Sequence, residues 1–126
     1  MQDEPTPSEL TKVVADFLRH DIAPLISGHN AFKLRVAINA LDLVTRQLTL
    51  EQGGDVAESA RLAALVATQG SLLDLNRSLA DRIASGDVDL QTPGLSEHLW
   101  QTTMDKLAVD QPNYAAYKRE LGNKSD

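Results

Sequence analysis

The hydrophobic pattern is densest over residues 31–50, where apolar side chains fall on nearly every side of an α-helix. The polar exceptions recur at intervals of four, three and four residues, so at about 100° per residue they form a stripe roughly 60° wide. This stripe, called here the polar seam, consists of Arg35, Asn39, Asp42 and Arg46. A helix that is apolar around most of its circumference is typical of the middle of a bundle. We therefore expect a buried central helix, capped by Asn30 and ending near residue 51.

A first helix is predicted before it, because apolar residues recur there at three- and four-residue intervals. Its expected inner face comprises Leu10, Val13, Val14, Phe17, Leu18 and Ile22. Ser8 is the expected N-cap. Pro24 lacks an amide donor and should end or kink the helix at Ala23, with Leu25 and Ile26 tucked beneath it. Residues 27–30 are expected to form a turn, in which Gly28 can take a positive φ.

Glycine, proline and capping residues predict four further helices. Gly53-Gly54 should break the central helix, and Asp55 with Glu58 resembles a capping box that opens a third helix through about residue 68. The fourth helix is expected to start at Ser71 and stop at Gly86.

Thr92-Pro93 should open the fifth helix, and the sixth should run from Tyr114 to about Leu121. The expected inner face of the fifth helix comprises Leu95, Leu99, Trp100, Met104 and Leu107. No stretch alternates as a strand does. The sequence therefore predicts an all-α fold, a compact bundle of five to six mostly antiparallel helices. We expect one domain over residues 1–126, with a flexible arm at 1–7 and a flexible tail at 122–126.

Charge and composition limit the classes of partner and the location that the sequence favours. The 12 basic residues against 18 acidic ones give a net charge of −6, which disfavours nucleic acid as a partner. The chain has no cysteine, and its N-terminus lacks the pattern of a secretory signal. No uninterrupted apolar run approaches the roughly 20 residues of a membrane span. We therefore expect a cytoplasmic protein.

Motifs that carry chemistry are missing from the sequence. The three histidines His20, His29 and His98 do not have the spacing of metal ligands, and His98 is expected on the surface of a helix. Neither a glycine-rich phosphate loop nor a nucleophile elbow is present. We expect no catalytic residue, metal or cofactor.

The polar seam has two possible interpretations. If it faces water, Asp42 and Arg46 form an ordinary i, i+4 ion pair worth a few tenths of a kcal/mol. If it is covered, the seam is a docking site or a buried network that confers specificity. The pattern alone leaves both open.

Three runs of sequence resemble a family of small bacterial proteins of unassigned domain. They extend from Phe17 to Leu25, from Gly28 to Leu41 and from Leu107 to Tyr114, and the most specific positions are Phe32, Arg35 and Asn39. Members of that family are found beside aminoglycoside-phosphotransferase-like kinases and acyl-CoA dehydrogenases. Some resemble the small partner subunit of a kinase that phosphorylates hydroxyacyl-CoA intermediates, as in levulinate catabolism.

The resemblance implies a non-catalytic accessory subunit that binds and supports such a kinase, with an acyl-CoA dehydrogenase as a further candidate partner. The expected partner- or ligand-binding residues are His29, Phe32, Arg35, Asn39, Asp42 and Arg46. Two alternatives stay open. One is a carrier or sensor that holds an acyl or CoA group near Phe32, Arg35 and Trp100, and the other is a homo-oligomeric structural module.

Overall fold

The computed structural model describes residues 4–123, which form five α-helices and no β-strand. The helices are α1 (Pro7–Phe17), α2 (Gly28–Val66), α3 (Leu72–Ser85), α4 (Leu95–Asp110) and α5 (Ala115–Asn123). The chain divides into an N-terminal unit (Met1–Glu51) and a C-terminal unit (Gln52–Asp126), and α2 contributes to both. The all-α prediction is confirmed.

The predicted flexible ends fall only partly within the described residues. Residues 1–3 and 124–126 lie outside them. Inside them, the last residue of the predicted arm, Pro7, opens α1, and the first two residues of the predicted tail, 122–123, close α5. The regular helices therefore extend slightly further toward both ends than the pattern indicates.

The first helix is capped by Thr6, and the prediction of Ser8 as its cap is wrong. The Thr6 hydroxyl accepts from the Glu9 amide at 3.3 Å, and the Glu9 carboxylate accepts from the Thr6 amide at 2.7 Å. This reciprocal pair is a capping box, and Pro7 fits directly after the cap because the first helical residue needs no amide donor.

The first helix also ends earlier than predicted. A π-helical turn (Leu18–Ile22) follows α1 directly, and a 3₁₀ turn (Ala23–Leu25) contains Pro24. Proline thus ends the helical run where expected, but the hydrogen bonding has already widened one turn before it. Leu25 is 81% exposed, so the expectation that it tucks beneath the helix is wrong.

Within the N-terminal unit, α1 packs antiparallel to the first part of α2. The hydroxyls of Thr11 and Thr45 are 2.7 Å apart, and Arg19 donates to Asp42 at 2.6 Å. Because Arg19, in the turn after α1, meets an earlier residue of α2 than Thr11 does, the two segments run in opposite directions and form a hairpin. Ala15 and Ile38 are its buried apolar residues.

The prediction of a buried apolar face on α1 is largely wrong. α1 contacts α2 through small and polar residues, and the stripe at i, i+3, i+4 and i+7 points away from α2. That stripe comprises Leu10, Val13, Val14 and Phe17, which are 44%, 66%, 46% and 51% exposed.

The central stretch is likewise not the buried middle of a bundle. Ile38 is its buried apolar residue, whereas exposed apolar residues occur on several sides of the helix. They are Phe32, Val36, Val44, Leu48 and Leu50. The physical reason is that the described N-terminal unit offers this stretch a single helix, α1, to pack against, and one neighbour covers only one side.

The prediction that Gly53-Gly54 breaks the helix is wrong, because α2 continues through both glycines to Val66. A glycine inside a helix costs about 1 kcal/mol relative to alanine, which lowers stability without forbidding the conformation. Asp55 and Glu58 therefore lie inside α2 and cap nothing. The Glu58 carboxylate accepts instead from the Asn76 side chain of α3 at 3.0 Å. The predicted second and third helices are one.

The C-terminal unit contains a continuous apolar core. Its buried members are Leu62, Val66, Leu75, Leu79, Val88 and Leu95. Both ends of α3 were predicted correctly. The Ser71 hydroxyl caps its start by accepting from the Asp74 amide at 3.2 Å, and Gly86 ends it with φ +84°.

Two predictions for the fifth helix are wrong. α4 begins at Leu95 after Gly94, whose φ is +89°, while the Thr92 hydroxyl accepts from the Asp89 amide in the preceding turn. Leu99 and Trp100, expected inside, are 43% and 48% exposed. The buried positions are Leu95, His98 and Met104, so the inner face is rotated and includes a polar residue.

Candidate functional site

An exposed aromatic side chain lies beside an exposed arginine on the first part of α2. Phe32 is 56% exposed, and Arg35 and Asn39 are also exposed. Among residues 4–123 neither the Arg35 nor the Asn39 side chain has a hydrogen-bond or ion-pair partner. Together with His29, these three residues are called here the aromatic–arginine surface. Polar groups without internal partners are available to another molecule.

The start of α2 determines how this surface is ordered. Gly28 takes φ +68° and α2 begins there, so His29 lies in the first helical turn and the predicted four-residue turn is shorter. Residues three apart on a helix are neighbours. The His29 and Phe32 rings accordingly stack, with centroids 6.4 Å apart and planes 15° from parallel. The stack restricts the rotamers of an exposed aromatic residue.

One residue of the polar seam, Asp42, binds across the hairpin to the turn that follows α1. Asp42 and Arg46 are both half-buried, and Asp42 accepts from Arg19 at 2.6 Å. Arg19 also donates to Asp16 at 2.9 Å. The seam therefore contains two exposed residues, Arg35 and Asn39, and one residue, Asp42, that binds across the hairpin, while Arg46 is half-buried. The periodicity of one helix could not predict that Arg19 binds Asp42, because the two residues are 23 positions apart in the sequence.

The charges along this edge of the hairpin are satisfied internally. Lys12, Asp16, Arg19 and Asp42 form a continuous chain of ion pairs, called here the polar flank. The hydrogen bond from Lys12 lowers the pKa of Asp16 below its ordinary value, and the Lys12 and Arg19 cations act in the same direction. Because Lys12 is 67% exposed and the other three side chains are 35–38% exposed, solvent screens these pairs and each contributes little to stability.

A second polar cluster lies within the C-terminal unit, where Arg61 of α2 donates to Asp105 of α4 at 3.3 Å. Next to it, His98 is 3% exposed, so the expected surface position of His98 is wrong. Burial lowers the pKa of His98, the nearby Arg61 cation lowers it further, and Glu58 partly opposes them. His98 is therefore neutral at pH 7 and acts as part of the packing.

This second cluster lacks the arrangement of a catalytic centre. Among residues 4–123 the buried Nδ1 of His98 has no hydrogen-bond partner, so no carboxylate orients the ring as in a catalytic dyad. Over the same residues no group of three or more His, Asp or Glu side chains could hold a metal ion. The exposed surface on α2 is the stronger candidate, and its chemistry is that of binding.

These features define a small all-α protein whose candidate site is an exposed surface. The chain belongs to the family described as "Domain of unknown function (DUF6285)", whose model matches residues 24–114. The match includes the aromatic–arginine surface, begins after α1 and ends before α5. No curated protein and no solved structure matches the chain.

None of the helices in the described part of the chain is long and apolar enough to cross a membrane. Helix α2 has 39 residues, but the charged and polar residues of the seam interrupt its apolar sequence, which explains this result.

Proposed function

We propose that this chain is a non-catalytic accessory subunit in the cytoplasm that binds and supports an aminoglycoside-phosphotransferase-like kinase acting on hydroxyacyl-CoA intermediates. The observation that carries the binding role is the exposed Phe32 beside the unpartnered Arg35. Aromatic residues and arginine dominate the binding energy of protein interfaces, where they fill pockets and form charge-assisted hydrogen bonds.

The surface combines apolar area, restricted side-chain motion and free hydrogen-bonding groups, three properties that favour docking. Phe32 offers apolar area, and its stack against His29 reduces the entropy lost when a partner orders it. Arg35 offers five donors that no acceptor among residues 4–123 occupies, and Asn39 adds both donors and an acceptor. Asp42 and Arg46 continue the same seam, and Asp42 helps to position α2 through its hydrogen bond with Arg19.

The identity of the partner as a kinase comes from the resemblance in the sequence of residues 28–41. An acyl-CoA dehydrogenase is a second partner consistent with that resemblance. The proposal requires a phosphotransferase-type kinase gene in the same genomic neighbourhood, which inspection of the genome can test before any protein is made.

The direct test is binding of that kinase to the purified chain and to Phe32→Ala and Arg35→Ala variants. We expect each substitution to weaken the complex roughly 10- to 100-fold, because truncation of an interface anchor costs about 2 kcal/mol or more. Isothermal titration calorimetry measures the affinities, and a coupled assay measures kinase activity with and without the chain.

Arg77→Ala is the matched control, since Arg77 is an exposed arginine on α3 outside the candidate surface. It should change the affinity less than about twofold. If no complex forms and kinase activity is unchanged, the proposal is wrong. Equal losses from Arg35→Ala and Arg77→Ala would place the interface elsewhere.

An acyl-carrier role predicts a different result. A ligand at 100 times its dissociation constant adds about 2.7 kcal/mol to the free energy of unfolding. A large thermal shift of the isolated chain with acyl-CoA, combined with no binding to the kinase, would favour the carrier over the accessory subunit.

A further inference from the structure

The outward stripe of α1 carries four exposed apolar side chains. Leu10, Val13, Val14 and Phe17 are 44–66% exposed, and they form a stripe beside the face that carries Thr11 and the buried Ala15. An i, i+3, i+4, i+7 stripe is the pattern that packs helix against helix. Here the intramolecular partner α2 does not cover it.

The ion pairs indicate which residues of α2 extend this stripe. Asp16 and Asp42 both bind Arg19, so they lie on the same flank of the hairpin. Val14 is two residues from Asp16 and Val44 is two residues from Asp42, which places each about 200° around its helix from the polar flank. Val14 and Val44 therefore share the opposite flank, and Leu48 lies one turn beyond Val44.

We propose that a second copy of this chain packs on this surface, called the apolar flank, and that two hairpins form an antiparallel four-helix arrangement. The apolar flank consists of Leu10, Val13, Val14, Phe17, Val44 and Leu48. Val14, Val44 and Leu48 lie opposite the polar flank and Val13, three residues from Asp16, lies at the outer edge. Self-association through this surface leaves the proposed kinase-binding residues accessible.

The symmetry of the stripe favours a second copy over an unlike partner. A two-fold axis between Val13 and Val14 sets Leu10 of one copy opposite Phe17 of the other, and Val13 opposite Val14. The pattern is therefore its own complement, as an isologous interface requires. A two-helix hairpin also buries little alone, whereas four helices enclose a core.

Charge and area agree with this choice. Lys12, Asp16 and Arg19 at the edge of the stripe bind one another and Asp42, so no charge there needs an opposite charge on an unlike partner. Burying all six side chains in both copies would remove on the order of 1,000 Å² of apolar surface, the lower end of specific interfaces. We therefore expect a dissociation constant in roughly the micromolar range.

The test is the concentration dependence of the mass of the full chain, measured by light scattering and sedimentation. The mass should rise from 13.7 kDa toward twice that value as the concentration passes through roughly the micromolar range. Val13→Glu should keep the chain monomeric, while circular dichroism shows unchanged helix content because Val13 is 66% exposed. Val56→Glu, at a valine that is 69% exposed on α2, should dimerise normally.

A cysteine variant tests the geometry independently. The chain has no cysteine, so Val13→Cys introduces a single thiol near the proposed axis. With an added oxidant the Val13→Cys variant should form a disulfide-linked dimer faster than the Val56→Cys variant does. A mass of 13.7 kDa at every concentration, or a dimer that survives Val13→Glu, would overturn the proposal. So would a monomer whose Val13→Glu variant loses only kinase binding, since the occupant would then be the kinase.

Discussion

Arg19 changes the interpretation of the polar seam more than any other residue. It binds Asp42 across the hairpin and Asp16 on α1, so Asp42 of the seam contributes to internal structure. Arg35 and Asn39 keep their hydrogen-bonding capacity for another molecule. At the scale of residues, the distinction between a structural and a functional polar group depends on a partner far away in the sequence.

His98 gives a prediction about pH. Its pKa in the folded chain is lowered from 6.5 by burial and by Arg61, so the unfolded state takes up a proton at higher pH than the folded state. Stability should therefore fall as the pH decreases below about 6.5, by at most about 1.4 kcal/mol per pH unit, until the lowered pKa is passed. The lowered pKa values of Glu9 and Asp16 keep these carboxylates out of this window.

Urea denaturation of the chain and its His98→Gln variant between pH 7 and pH 5 measures this dependence. The variant should lose most of the slope even if its stability at pH 7 is lower. A His98→Gln variant with an unchanged slope would show that His98 is not the titrating group.

At the scale of elements, the continuity of α2 through Gly53-Gly54 predicts how alanine at these positions changes stability. If both glycines are helical, alanine should stabilise the chain, whereas at a helix break that needs glycine it should destabilise it. Both glycines have open space where a Cβ would be, and neither has a positive φ. Gly53→Ala and Gly54→Ala should each raise the free energy of unfolding by about 0.5–1 kcal/mol. Gly86→Ala, at φ +84°, should lower it by about 1 kcal/mol or more.

Chemical denaturation with circular dichroism as the signal measures all three variants. If alanine at positions 53 and 54 destabilises the chain as it does at Gly86, the two glycines are not helical and α2 is interrupted.

The end of α2 carries a second prediction. Ala67 has φ +51°, a left-handed conformation in which a Cβ is strained. Ala67→Gly should therefore raise the free energy of unfolding by about 0.5–1 kcal/mol. Ala64→Gly, one turn earlier at an exposed helical position, should lower it by a similar amount. Equal effects from the two substitutions would contradict the left-handed end of α2.

Local chemistry explains which elements the sequence could predict. The cap at Ser71 and the stop at Gly86 depend on neighbouring residues, and both were predicted correctly. The prediction of a break at Gly53-Gly54 was wrong because the low helix propensity of glycine only adds a free-energy cost, which the rest of a long helix can offset. The inner faces of α1 and α4 were wrong because apolar spacing identifies a stripe without identifying what covers it. His98 was missed for the related reason that a buried polar residue gives no hydrophobic signal.

At the scale of the whole molecule, the sequence pattern correctly predicted the all-α fold class, and it left a homo-oligomeric module open without indicating a surface for it. Phe32, Arg35 and Asn39 stood out by resemblance and by the seam pattern, and the structure adds that they are exposed and that His29 stacks on Phe32. The apolar flank could not be predicted, because the same residues were expected to fill an internal core. A different surface is thereby available for each proposed interaction, one for the kinase and one for a second copy.

The most direct test of the proposed role is a titration of the kinase with this chain, with phosphorylation of hydroxyacyl-CoA as the readout. We predict a saturable rise in kinase activity, with the half-maximal concentration increased roughly 100-fold or more by the double variant Phe32→Ala/Arg35→Ala and unchanged by Arg77→Ala. Kinase activity that does not respond to the chain, or that responds equally to the double variant, would contradict the account.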